Sequence, residues 1–225
     1  MGNNPQYGTE TLEVISAANN FNYWMYKTIA RYCRGQILEI GSGIGNISKY
    51  FLEDGATISL SDFDEEYMPG LKDQFKSKEN LNGIFHIDFS DNNIEKAHPD
   101  LLGKFDTIFA LNVVEHISDH NLAVKNAHKL LKENGKIVIL VPAFQRLFNQ
   151  FDEQLDHQRR YTARTLKTLI ETNGFKVKHS RYFNFIGMLG WLISGNILRK
   201  KMIPGGQMKI YDALVPLWKI IDFFT

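Results

Sequence analysis

The stretch ILEIGSGIGN, residues 37–46, constrains the fold of this chain more than any other part of its sequence. Its β-branched, apolar start predicts a buried strand, and apolar residues at helical spacing follow from Ile44 onward. Between strand and helix stand three glycines at alternate positions, which are Gly41, Gly43 and Gly45. Glycines at such a junction permit positive φ and let a ligand approach the backbone closely.

A tight turn between strand and helix requires only one glycine. A dinucleotide-binding loop would read G-x-G-x-x-G, whereas this loop reads G-x-G-x-G with Glu39 two residues before it. A carboxylate at that place suits a cationic or amine-bearing ligand better than a pyrophosphate. A P-loop is excluded because no Gly-Lys-Ser/Thr follows.

Short β-rich segments alternate with helical ones along the rest of the chain. Such alternation predicts an α/β fold with a doubly wound, Rossmann-like, mostly parallel sheet and helices on both faces. The predicted strands are Gln36–Ile40, Ala56–Leu60, Gly83–Ile87, Phe105–Val114, Lys136–Pro142 and Phe175–Phe183.

Helix boundaries are predicted from turn and capping residues. A helix after the second strand should break at Pro69 and Gly70, and one after the fourth strand should stop at Asn134-Gly135. Thr162 should cap a further helix.

Acidic residues stand at the ends of three successive strands, namely Glu39, Asp62 and Asp88. A carboxylate at the end of the second strand can accept both ribose hydroxyls, and the adjacent Phe63 could pack on a purine. Asp88, which Phe89 follows, could accept from an adenine amine. Each acid alone could be a solvated strand-end residue; three in register predict a nucleoside site.

The composition narrows the function further. The 225 residues carry a net charge of +1 and contain no basic-aromatic nucleic-acid motif. Cys33 is the one cysteine and the first residues lack a signal-peptide pattern, which together predict a cytoplasmic protein.

Five motifs in order resemble those of class I S-adenosylmethionine-dependent methyltransferases. They are ILEIGSGIGN, LSDFDEEYM, IDFSD, FDTIFALNVVEHISD and LLKENGKIVILVP, within a resemblance that covers about residues 21–185. The likeness implies S-adenosylmethionine as cofactor, with Glu39 near the methionine amino group and Asn112 near the methionine portion. It further implies the glycines as the floor, Asp62 at the ribose, and Asp88 with Phe89 at adenine.

Methyl transfer requires no particular catalytic residue, but two segments are candidates. Glu115-His116 follows the fourth strand and could supply a base or metal ligand, or simply form a polar turn. No metal is expected, because two adjacent residues are a weak metal signature. The segment FDEQLDHQRRYT supplies His157 as a second catalytic candidate, unless it is a solvated charged loop. Its candidates for binding the acceptor are Asp152, Arg159, Arg160 and Tyr161.

FDEQLDHQRRYT, with NNFNYWMYKTIARY and FNFIGMLGWLISGNILRKK, resembles a bacterial methyltransferase subgroup found fused to or beside polyprenol-phosphate-type glycosyltransferases. This likeness implies a small-molecule or lipid-linked acceptor in cell-envelope glycan or quinone metabolism. A cofactor-binding partner or scaffold without turnover is the alternative. The closing antiparallel strand that such sheets usually have is not evident before Thr225.

The sequence predicts three regions. Residues 1–35 should form a helical cap over the cofactor site, residues 36–183 the methyltransferase core, and residues 184–225 a helical lid or membrane-proximal segment. Residues 172–211 contain seven basic residues and no acid, while residues 183–198 are uncharged. A lid is favoured over a peripheral membrane contact through residues 183–201, and the oligomeric state stays open.

Overall fold

The computed structural model describes residues 14–198 and 205–223. Within them, five parallel strands form one sheet in the order β3-β2-β1-β4-β5. The strands are β1 (Ile37–Ile40), β2 (Ile58–Asp62), β3 (Leu81–His86), β4 (Phe105–Leu111) and β5 (Leu131–Leu140). The chain reverses its direction of winding at β1, so the predicted doubly wound α/β fold is confirmed.

Helices connect and flank the strands. They are α1 (Asn19–Ala30), α2 (Ser48–Glu53), α3 (Tyr67–Phe75), α4 (Ile94–Ala97), α5 (His120–Leu130), α6 (Gln150–Gln154), α7 (Ala163–Thr172), α8 (Phe185–Trp191), α9 (Gly205–Ala213) and α10 (Val215–Phe223). A π-helical segment, Leu192–Ile197, continues α8. Thr162 caps α7 as predicted, because its hydroxyl accepts from the Thr165 backbone N–H.

Two hydrophobic clusters cover the two faces of the sheet. In β1, Ile37 packs in a cluster with α1, α2 and α3, whereas Leu38 and Ile40 pack in the other with α5 and α7. This alternation follows the period of two along a strand. It places Glu39, next in alternation to Ile37, on the side of α2.

Three predictions about secondary structure were wrong. Helix α3 runs through Pro69 and Gly70, because Pro69 is its third residue, where the backbone N–H has no intrahelical acceptor anyway. Helix α5 ends at Leu130 rather than at Asn134-Gly135, and that pair lies instead in β5, where the register with β4 shifts. Residues 175–183 form no strand, because only Phe175 and Val177 alternate with exposed neighbours and residues 178–182 are all exposed.

The amino- and carboxyl-terminal helices pack on each other. Asp212 of α9 accepts from the Phe21 backbone N–H at 2.8 Å, and the Phe183 ring lies 4.5 Å from that of Trp24. On its other side α1 buries Met25 and Ile29 in the core. Helix α1 therefore packs between the core and α9, and the predicted division at residue 35 stays a prediction.

Candidate functional site

The three glycines of the β1–α2 loop all have positive φ, but for different reasons. A Cβ on Gly41 would lie 2.4 Å from a Val113 methyl, and one on Gly45 would lie 2.6 Å from the Phe75 ring. A Cβ on Gly43 would meet nothing within 4 Å. Gly41 and Gly45 are thus required by internal packing, and Gly43 alone faces open space.

Glu39 supports this loop from below. Its side chain is buried and accepts a hydrogen bond from the Ser48 hydroxyl at the start of α2. Burial raises the pKa of Glu39 to about 8. Its contact with a ligand amino group stays a prediction, and an ammonium ion there would stabilise the charged carboxylate.

Asp62 and Asp88 accept hydrogen bonds at the ends of β2 and β3, and Asp62 also holds the glycine loop. Asp62 accepts from the backbone N–H of Gly43 at 2.7 Å and of Asp64 at 3.0 Å. Burial raises its pKa. Asp88 accepts from the backbone N–H and hydroxyl of Ser90. Each carboxylate oxygen has more than one lone pair, so further donors can still bind.

The remaining predicted cofactor residues differ in exposure. Phe63 is 70% exposed, whereas Phe89 is 3% exposed and packs in the core, so only Phe63 offers a free ring to a purine. Asn112 is exposed at the end of β4 with φ of 54°. Open space above Gly43, acceptors on Asp62 and an exposed ring beside it fit a nucleoside carrying hydroxyl groups.

A buried carboxylate, that of Asp152 in α6, organises the connection after β5. It accepts from His157 Nδ1 at 2.7 Å, Arg160 Nε at 2.8 Å, the Asn149 backbone N–H at 3.0 Å and Trp191 Nε1 at 3.3 Å. Burial alone would raise the pKa of Asp152, but the hydrogen bonds from His157 and Arg160 lower it overall. The predicted segment is therefore an ordered cluster and not a solvated loop.

The two arginines of this segment have partners inside the protein. Arg159 donates to the backbone carbonyls of Ile117 and Ser118 at 2.6 and 2.9 Å. Arg160 contacts Asp152 and lies 4.7 Å from the Trp191 ring. These contacts show that both guanidinium groups help to hold the connection, and their contact with an acceptor stays a prediction.

Tyr161 and His120 join the same connection to α5. The Tyr161 hydroxyl lies 2.8 Å from His120 Nδ1, and its side chain is buried. A single bridge between Ala143 and Tyr161 ties the two ends of the connection together. Tyr161, predicted to bind an acceptor, thus has a structural contact.

The two predicted catalytic histidines lie together. The rings of His116 and His157 are 4.7 Å apart and nearly perpendicular. Desolvation, and then the neighbouring His157, lower the pKa of His116, although its side chain remains exposed to solvent. Glu115, the residue before it, is fully buried. Sequence reasoning paired Glu115 with His116 but did not place His157 beside them.

The carboxyl-terminal helices expose several apolar side chains. Among them are Ile193, Ile210, Ile220 and Phe223, the last 82% exposed. In the part of the chain that the structure describes, no helix combines the length and apolar character needed to cross a membrane. Residues 199–201, part of the predicted membrane contact, lie outside the described residues.

Comparison with known proteins gives one family. A sequence model described as "Methyltransferase domain" matches residues 18–180. An uncharacterized methyltransferase of Bacillus thuringiensis (strain Al Hakam) is 26% identical over 171 residues, covering 69% of this chain and 76% of that protein. The non-reducing polyketide synthase nvfA of Aspergillus novofumigatus is 29% identical over 125 residues, but the match covers 50% of this chain and 5% of the synthase.

Solved structures show the same fold. Phosphoethanolamine N-methyltransferase 2 of Haemonchus contortus, in complex with S-adenosyl-L-methionine, superposes with a TM-score of 0.60 at 16% identity. The match covers 92% of this chain and 54% of that one. At this identity the likeness is one of fold.

Proposed function

The chain belongs to the methyltransferase-domain family, whose enzymes use S-adenosylmethionine, and we propose that it methylates a small molecule held between residues 112–118 and 143–161. The first segment follows β4 and the second follows β5, at the carboxyl edge of the sheet. Ligands of doubly wound sheets bind at this edge. Bound S-adenosylmethionine supplies an electrophilic methyl group there.

The observation that carries the proposal is the position of His157. Asp152, buried and fully hydrogen-bonded, fixes the His157 ring beside His116. Methyl transfer requires a nucleophile aligned at roughly 3–3.5 Å from the methyl carbon, so its main demand on the protein is orientation. We assign the two histidines to the reacting group of the acceptor.

The cofactor would lie along the ends of β1, β2 and β4. Asp62 would accept from the ribose hydroxyls, Phe63 would cover the purine, and Asn112 would face the methionine portion. Gly43 would leave room above the loop, which a side chain would fill. These roles rest on the open space, the exposure and the free lone pairs described above.

A methyl-transfer assay tests this assignment. The protein is incubated with methyl-labelled S-adenosylmethionine and, separately, with small-molecule and lipid extracts of a bacterial cell. We expect labelled product in one extract, and a His157→Gln variant should lose it while keeping cofactor affinity by calorimetry. His179→Gln, an exposed histidine outside the site, is the matched control. Cofactor binding without labelled product in any extract would favour the scaffold alternative.

We further propose that the acceptor is lipid-linked and that the chain contacts an anionic membrane surface. A cleft of about 210 Å³ between α1 and α10 is lined by Lys27, Arg31 and Lys219 beside the exposed Phe223. Cations next to apolar side chains suit anionic headgroups. The resemblance to the subgroup found beside glycosyltransferases supports an acceptor from cell-envelope glycan metabolism. A quinone precursor is the second candidate acceptor, because it too has an apolar portion.

Vesicle sedimentation tests the membrane contact. The protein should pellet with phosphatidylglycerol vesicles and not with phosphatidylcholine vesicles, and Arg31→Glu should reduce the bound fraction. Lys72→Glu in α3 serves as a charge-matched control on another surface. Equal binding of both variants, or none by the wild type, would contradict this part of the proposal.

A further inference from the structure

We propose that Glu115, His116 and His157 form a binding site for one divalent transition-metal ion. Each residue offers one ligand atom, and the three atoms all lie within 4.8 Å of one another. Glu115 and His116 come from the turn after β4, whereas His157 comes from the connection after β5. The site therefore exists only in the folded chain, and the sequence spacing alone does not reveal it.

The carboxylate of Glu115 is the first independent indication of a ligand. Its side chain is fully buried, and neither carboxylate oxygen has a hydrogen-bond partner among the described residues. Buried polar groups in folded proteins almost always have partners, because an unpaired one costs free energy. A cation bound between Glu115 and the two imidazoles would give this carboxylate the partner that it lacks among the described residues.

The orientation of His157 is the second indication. Its Nδ1 donates to Asp152 at 2.7 Å, which leaves Nε2 with a free lone pair. Metal-bound histidines usually donate their other ring N–H to a carboxylate in this way, which fixes the tautomer and ring direction. Arg160 and Trp191 in turn hold Asp152.

The ligand set selects the class of ion. Two imidazoles and one carboxylate suit Zn²⁺ and similar transition ions, whereas Mg²⁺ and Ca²⁺ prefer oxygen ligands. Ligand atoms at about 2.0–2.2 Å from zinc lie roughly 3.4 Å apart in a tetrahedral arrangement. Small side-chain rotations would therefore close the present spacing around an ion.

Three protein ligands leave one position open, as in catalytic zinc sites. His116 is exposed, so a ligand can reach the site from solvent. Resting on the proposed function, we infer that an oxygen or nitrogen atom of the acceptor occupies it. The ion would lower the pKa of that group and so favour its nucleophilic form.

Metal titration tests the site directly. Protein stripped with a chelator is titrated with Zn²⁺ by calorimetry and with Co²⁺ by visible absorption. We expect one equivalent per chain, with the strong d–d bands of a four- or five-coordinate Co²⁺ ion. Removing a side chain that merely supports a metal ligand lowers metal affinity about 10–100-fold. Glu115 and His157 are proposed as ligands themselves, so Glu115→Gln and His157→Gln should each lower the affinity for Zn²⁺ by at least about 100-fold. His179→Gln should bind as the wild type does.

The same samples are titrated with S-adenosylmethionine, which separates failure of the metal site from failure of the methyltransferase assignment. Wild-type affinity for Zn²⁺ in folded Glu115→Gln and His157→Gln variants would overturn the proposal. If neither variant folds, the wild-type Co²⁺ spectrum decides. Absence of the d–d bands at one equivalent would then overturn it.

Discussion

Replacing Asp152 by alanine should destabilise the protein strongly while leaving the cofactor loop intact. The substitution removes an acceptor of four hydrogen bonds and leaves the Arg160 side chain, 5% exposed, without its carboxylate. Removing one partner of a buried ion pair typically costs about 3–5 kcal/mol, because the other charge remains buried. One carbonyl contact, from Arg160 to Ala143, remains and offsets part of this cost. We therefore expect a loss of about 3–4 kcal/mol in the free energy of unfolding.

Urea unfolding followed by circular dichroism measures this loss. Glu153→Ala, the exposed neighbour in α6, should change stability by less than about 1 kcal/mol and controls for the lost carboxylate and for helix propensity. A nuclear magnetic resonance spectrum of the imidazole nitrogens should show that His157 loses its fixed Nδ1–H tautomer in Asp152→Ala. A loss under about 1 kcal/mol with an unchanged tautomer would refute the reasoning that Asp152 holds the connection.

Two further predictions concern the glycine loop. Gly45→Ala should lower the free energy of unfolding by about 2–4 kcal/mol, because the new methyl group adds a clash with Phe75 to the strain of positive φ. Gly55→Ala is the control: it has the same strain but open space around it, and should cost about 1–2 kcal/mol. Equal unfolding midpoints for the two variants would contradict the packing role of Gly45. The second concerns Glu39, whose folded pKa of about 8 lies above the ordinary value of 4.5, so the native state keeps a proton that the unfolded chain releases. The contribution of Glu39 to the free energy of unfolding therefore decreases as pH rises from about 4.5 to 8, by roughly 3–5 kcal/mol at most. Glu39→Gln should flatten the decline in stability measured by urea unfolding across this range, and an unchanged slope would show that Glu39 is charged in the free protein.

The sheet could be predicted from sequence because its signals are local. Each of the first five predicted strands overlaps a strand of the structure, since short apolar runs between turn residues encode buried parallel strands. The sixth predicted strand, residues 175–183, is wrong because a strand also needs a neighbouring strand to form hydrogen bonds with. Phe175 and Val177 pack against the core, yet the segment forms no ladder.

The glycine loop shows a second limit of sequence reasoning. Pattern alone gave Gly41, Gly43 and Gly45 one shared reason, approach to a ligand. The reasons separate only when the neighbours are known, because Val113 and Phe75 come from other elements.

The histidine cluster shows a third limit. His116 and His157 are 41 residues apart in sequence, and no local signal joins them. The contact depends on Asp152, which aims His157, and on Arg159, which ties the connection to Ile117. Long-range hydrogen bonds of this kind set the site, and they follow from the fold rather than from spacing.

Calorimetric titration of an Asp62→Ala variant with S-adenosylmethionine tests the central claim most directly. A ribose bound at Asp62 would lose hydrogen bonds to a charged acceptor, worth about 1.5–3 kcal/mol each. We therefore predict a dissociation constant at least about 30-fold above that of the wild type, a loss of roughly 2–4 kcal/mol. Asp73→Ala, an exposed carboxylate in α3, should bind as the wild type does. Unchanged affinity in a folded Asp62→Ala variant would contradict the placement of the cofactor at the carboxyl end of β2.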